Sequence, residues 1–114
     1  MIEYPKRGEI HLCTLPAKPN AKKKRSALIV SLDVRNRLAA DVIVVPLSTN
    51  MKKSPTHVIL TKGEGGLLKD SAVKCEQITT IDKALLLRGP LSEKISEAKM
   101  KEVERAIMVS VGLF

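Results

Sequence analysis

Val42-Ile43-Val44-Val45-Pro46-Leu47-Ser48-Thr49-Asn50 is the stretch that decides the fold. Its first six residues are apolar almost without interruption and rich in β-branched side chains. A run that short predicts a strand over Val42–Leu47 covered on both faces. The polar Ser48-Thr49-Asn50 marks the strand's exit. Ala27–Ser31 has the same apolar character and predicts a neighbouring strand. Working outward, Gly8–Thr14 alternates loosely around Ile10, Leu12 and Cys13, and His57–Thr61 reads as another short strand. Ser71–Ile78 reads as a fifth strand, and a sixth begins at Ala84–Leu87 before Gly89-Pro90 interrupts it.

Three segments read as connections. Leu15–Lys24 carries two prolines and four lysines without periodicity, which predicts a long loop of the kind that often carries function. Ser48–Pro55 is a second polar and basic loop, and Gly63-Glu64-Gly65-Gly66 is a turn. From Ser96 the period changes. Met100, Val103, Ala106, Ile107 and Val111 recur at three- and four-residue steps, which predicts one amphipathic helix. Ser96 is suited to cap its first turn, with Ser92 as an earlier alternative, and Gly112 to end it. Short strands closed by one C-terminal helix predict a mainly β chain, a compact and partly open β-barrel, with residues 1–114 forming a single domain.

With 114 residues, 44% of them hydrophobic and 28% charged, the chain can bury a core and is not disordered. The net charge of +8 favours an anionic partner, nucleic acid before an acidic protein. No apolar signal core opens the chain and no run approaches about 18 apolar residues, so a cytoplasmic location without membrane contact is expected. Cys13 and Cys75 are isolated in strand-like runs, as reduced core thiols would be. His11 and His57 lie far apart, and no carboxylates or thiols have ligand spacing, so no metal or other cofactor is expected. Aromatic content of 2% leaves few of the stacking platforms that single-strand binders use.

What remains is cations and hydroxyls at strand ends. Lys22-Lys23-Lys24-Arg25 runs directly into the Ala27–Ser31 strand, which would hold Arg25 on a rigid support. Ser48 and Thr49 leave the central strand, followed by Lys52 and Lys53. If the two strands are neighbours, both segments flank one groove. An Arg beside a hydroxyl suits a pentavalent phosphate, whose charge gathers on the nonbridging oxygens. The RNA's own 2′-OH as nucleophile would need no metal. A solvated strand-end Arg and a hydroxyl bonded within its own turn are the plainer alternatives.

These residues occur within a wider pattern. Arg7-Gly8-Glu9-Ile10, Arg25–Ser31, Val42–Asn50, Thr56-His57-Val58, Gly66–Ser71, Cys75–Ile78, Thr80–Lys83 and Lys101–Ile107 follow in the order found in the MazF/PemK family of toxin endoribonucleases, which the chain resembles over about residues 6–113. The resemblance implies an SH3-like barrel of the CcdB/MazF type and a homodimer with single-stranded RNA across a shared groove. It also implies metal-independent cleavage of mRNA at short sequences, by internal 2′-OH attack that leaves a 2′,3′-cyclic phosphate. Arg25 and Ser48 would be catalytic, with Thr49 as the fallback hydroxyl. Lys22, Lys23, Lys24, Asn50, Lys52, Lys53, His57 and Gln77 would contact RNA. The implied protein partner is an antitoxin with a disordered acidic segment. Three positions depart from the family pattern: His11 for an aromatic, Ser26 for the Pro after the Arg, and Leu32 for an Asn. A CcdB-like gyrase poison and a family member that binds without cutting are the competing readings.

Overall fold

The computed structural model describes residues 3–17 and 21–114, with backbone only at 16, 17, 21 and 22. Strands β1 (Ile10–Ala17), β2 (Ala21–Ile29), β3 (Asp41–Ser48), β4 (His57–Leu60), β5 (Ser71–Lys74), β6 (Thr79–Asp82) and β7 (Leu86–Arg88) form one antiparallel sheet. Helix α1 (Asp33–Leu38) links β2 to β3, and helix α2 (Glu97–Ser110) follows the last strand. The order across the sheet is β4-β5-β3-β2-β1-β7, with β6 also paired to β3.

Strand β3 is the hub. One edge pairs with β2 through Ile29–Val44, Leu28–Val45 and Ala27–Pro46. The other edge is shared: β6 takes Asp41–Val44 and β5 takes Leu47–Ser48. Side chains alternate between faces along a strand, so β2 and β3 feed two cores. Leu28, Val45 and Leu47 join Ile10, Leu60, Val73 and the helical Met100, Val103 and Ala106. Ala27, Ile29, Val42 and Val44 join Cys13, Leu15 and Ile81 on the other face. Burial on both sides is why this strand reads as an unbroken apolar run.

Helix α2 has the ends its sequence requires. The Ser96 hydroxyl accepts from the Lys99 N–H at 3.2 Å, satisfying one of the unpaired donors of the first turn. At the other end Gly112 adopts φ +83°, and the Leu113 and Gly112 N–H groups return to the carbonyls of Met108 and Val109. That is the left-handed glycine stop, which satisfies two orphan carbonyls.

Four expectations are corrected. Leu15–Lys24 is not a long loop. Within the described residues β1 and β2 run as a continuous hairpin from Ile10–Leu28 to Ala17–Ala21, and Lys22, Lys23, Lys24 and Arg25 all belong to strand β2. Lys18, Pro19 and Asn20 lie outside the described residues. Pro16 is compatible with a strand because β7 pairs no further than Cys13, so β1 has a partner on one edge only there. Second, Ser71–Ile78 is two pieces, β5 and a 3₁₀ turn over Cys75–Gln77. Third, the expected strand at Ala84–Leu87 is instead β7 after a 3₁₀ turn at Lys83–Leu85, with β6 before it. Fourth, α1 was not expected. Its apolar Val34 and Leu38 are exposed, while its one buried side chain is the polar Asn36. Asn36 Nδ2 donates to the Ser31 carbonyl at 3.0 Å, the Asn36 and Ser31 side chains bond each other, and the Ile43 N–H donates to Ser31 Oγ at 3.0 Å.

Candidate active site

The β2–β3 ladder ends at Ala27–Pro46. Two further steps of the same register would set Arg25 opposite Ser48, but there the strands part: β2 continues with β1 as a two-stranded ribbon, and β3 turns to β5. Arg25 spans the opening, its Nη2 donating to the Leu47 carbonyl at 3.0 Å. A guanidinium carries five N–H groups in a fixed plane, so this bond fixes the fork and leaves other donors for a ligand. Ser48 Oγ accepts from the Asn50 N–H at 3.1 Å. Its lone pair is thereby occupied and its own O–H remains available to donate. By strand alternation Arg25 and Ser48 share one face of the sheet.

Thr49 is placed differently. With Ser26, Leu12, Leu67, Leu91 and Arg88 it lines a cleft of about 770 Å³ on the other side of the opening. The lysines divide in the same way. Lys23 shares the face of Arg25, whereas Lys24 shares that of Ser26, and both are exposed. The side chain of Lys22 lies outside the described residues. Asn50, Lys52 and Lys53 are exposed on the β3–β4 segment, and Gln77 is exposed at the end of the Cys75–Gln77 turn.

His57 is occupied within the protein. Its Nδ1 bonds the Lys52 carbonyl at 2.7 Å, and its Nε2 lies 3.1 Å from the Glu76 carboxylate. Thr56 Oγ1 donates to the same carboxylate at 2.9 Å and pairs with Ser54 Oγ at 3.0 Å. Desolvation raises the Glu76 pKa, but hydrogen bonds from its own backbone N–H, His57 and Thr56, together with the His57 charge, outweigh it and hold the carboxyl below its ordinary value. The segment carrying Lys52 and Lys53 is therefore tied to the turn carrying Gln77. Glu76 and Thr56 were not singled out from sequence, since only the pairing of β4 with β5 brings them together. Among the described residues no three His, Cys, Asp or Glu side chains are grouped so as to hold a metal ion, and no helix is long and apolar enough to cross a membrane. Both cysteines are unpaired and buried.

A small curled β-sheet with a projecting ribbon and a packed C-terminal helix defines a class, the MazF-type toxin fold. The chain superposes on MazF from Deinococcus radiodurans with a TM-score of 0.81, covering 97% of this chain and 99% of that one at 18% identity, a likeness of fold alone. It superposes on an endoribonuclease solved in complex with its cognate antitoxin, from a mycobacterial species, with a TM-score of 0.79 at 28% identity, covering 96% and 97% of the two chains. Endoribonuclease MazF of Staphylococcus saprophyticus is 36% identical over 115 residues, spanning 95% of this chain and 92% of that protein. Residues 6–111 match the family described as PemK-like, MazF-like toxin of type II toxin-antitoxin system, and the chain belongs to that family.

Proposed function

We propose that this chain acts as the endoribonuclease toxin of a type II toxin–antitoxin system. It cleaves single-stranded mRNA at the Arg25–Ser48 opening, at preferred short sequences and without a metal ion. The observation that carries this reading is the bond from Arg25 to the Leu47 carbonyl, which holds a cation across from the Ser48 hydroxyl at the end of a rigid ladder. In the reaction a ribose 2′-OH attacks the adjacent phosphorus, the P–O5′ bond breaks, and a 2′,3′-cyclic phosphate and a 5′-OH result. The proton lost from the 2′-oxygen is balanced by the one gained at the 5′-oxygen. Arg25 donates to the nonbridging oxygens, where charge accumulates in the pentavalent state, and serves the proton transfer. Ser48 holds the phosphate through its free O–H, and Thr49 is the second hydroxyl at the opening. Preorganised donors of this kind are worth more in a site that excludes water than in bulk solution.

Lys22, Lys23, Lys24, Lys52 and Lys53 guide the RNA backbone, and Asn50, His57 and Gln77 line its path, His57 chiefly by fixing the Lys52 segment. The active unit is a cytoplasmic homodimer of one-domain protomers, with the RNA across a shared groove. Its inhibitor is an antitoxin whose disordered acidic segment competes for the same cations; an antitoxin complex of a relative supports that partner.

The test is digestion of mixed-sequence RNA by the purified protein in EDTA. Cyclic-phosphate ends are expected, with none from RNA carrying 2′-deoxyribose at the scissile nucleotide. Cleavage of the deoxy substrate would rule out the 2′-OH mechanism. Growth arrest with intact cellular RNA would favour a gyrase poison or a non-cutting binder instead.

A further inference from the structure

We propose that the cleft bounded by β2, the Gly66–Ser71 segment and the Arg88–Leu91 segment is a nucleotide subsite that sets sequence preference, receiving the base next to the phosphate held at Arg25. This rests on the RNA-cleaving reading above. Continuity is the first argument. Ser26 and Thr49 line the cleft, and each is one residue along the chain from Arg25 or Ser48. The parting of β2 from β3 joins the two faces, so a strand passing through the opening meets the cleaving pair on one side and the cleft on the other.

Chemistry is the second argument. Leu12, Leu67 and Leu91 supply apolar walls, while the Ser26 and Thr49 hydroxyls lie among them. A nucleobase has the same division, apolar on its faces and polar along its edges. Arg88 and Lys69, both exposed, add positive charge at the rim. That charge suits a base tethered to phosphates and disfavours an apolar peptide side chain. An Arg plane can also stack on a base, which matters in a chain with so few aromatic residues. The cleft's volume of about 770 Å³ falls within the range of small-ligand sites.

The walls are fixed. Gly66 adopts φ +89°, and a Cβ there would lie 2.8 Å from the Leu91 backbone and side chain. The Leu91 N–H is tied to the Ile10 carbonyl at 2.9 Å. The 66–71 and 88–91 segments therefore meet in contact that only glycine permits, which gives a specificity pocket a constant shape.

The experiment uses a randomised RNA pool, sequencing of the cyclic-phosphate ends, and the variants Leu68→Trp and Arg88→Ala. Leu68 lines the cleft but is largely exposed, so the indole narrows it without entering the core. Both variants should relax base preference at one position beside the cleaved bond by about tenfold, the scale of one stacked base, and leave the other positions as they were. Unchanged preference at every position in both variants would overturn the subsite while leaving the cleavage reading intact. If the wild type yields no cyclic-phosphate ends, binding decides. RNAs with 2′-deoxyribose throughout and 2-aminopurine at successive positions should show one position whose fluorescence responds to the wild type and not to Leu68→Trp. The absence of any such position would refute the subsite by itself.

Discussion

Replacing Arg25 with lysine separates charge from geometry at the proposed site. Arg25 anchors one arm of its guanidinium to the Leu47 carbonyl at 3.0 Å and can present the rest of the plane to phosphate. Lysine keeps the positive charge but concentrates its donors on one nitrogen at the end of a flexible stem. That nitrogen can reach toward Leu47 or toward the phosphate, but it cannot offer a fixed fork to both. The transition state therefore loses at least one preorganised donor, which costs about 2.7–4 kcal/mol, or a fall of roughly 10²–10³ in turnover. Ground-state binding rests mainly on charge, so its salt dependence should hardly change in Arg25→Lys. In Arg25→Ala, the log–log slope should flatten by about 0.7 for the lost phosphate contact. The assay is single-turnover cleavage of a short single-stranded RNA at saturating enzyme, with binding measured separately on the uncleavable 2′-deoxy RNA. Turnover of Arg25→Lys within about fivefold of wild type would refute the reasoning, because charge alone would then suffice.

Three further outcomes follow from the packing. Burial pushes the Cys13 thiol up to about 11, while burial and the neighbouring Glu76 charge push Cys75 up to about 12. Neither should react with a thiol-exchange reagent at pH 8 until denaturant is added, and rapid labelling of the native protein would contradict their placement in the two cores. Glu76 has a folded pKa below its unfolded value near 4.5, so its contribution to stability is present above that value and is lost as pH falls through the lowered one. Urea midpoints of Glu76→Gln and wild type should therefore converge on acidification; a constant gap would show that the charge is not what stabilises the Thr56–His57 clamp. Ser96→Ala removes the cap of α2 and should cost about 1 kcal/mol, a fall in Tm of roughly 4 °C, whereas an unchanged Tm would mean the cap bond is not formed in solution.

The parts of the fold legible in the sequence were those whose pattern reflects burial. β3 announces itself because both of its faces are covered, and α2 because Met100, Val103 and Ala106 all face the core. α1 left no such trace, since its only buried side chain is the polar Asn36. β6 was missed for a similar reason: of Thr79–Asp82 only Ile81 is buried. The ribbon was misread because lysines and proline usually mark loops, yet a two-stranded extension has few buried positions and tolerates both. At the site, Arg25 and Ser48 were legible as residue types at strand ends. Their shared face, and the separation of Thr49 and Lys24 from them, depend on a register that no single segment encodes.

The register also settles what Ser26 does in place of proline. A proline after Arg25 would stiffen the chain locally, and its absence suggests a looser guanidinium. Here the stiffness has another source. Ser26 is paired with Leu12 and Arg25 with Cys13 inside a hairpin ladder that continues on both sides, so the backbone of β2 is held by its neighbour and not by a ring. The guanidinium is then fixed at its far end by Leu47, on a different strand. With both ends of the Arg25 side chain held, position 26 is free to carry a hydroxyl into the cleft, where a proline would present only carbon. The same substitution that departs from the family pattern thus supplies a polar group at the one place where the proposed subsite has few others, and Ser26→Pro should leave cleavage intact while altering base preference. A loss of turnover in Ser26→Pro without a change in preference would reverse that assignment.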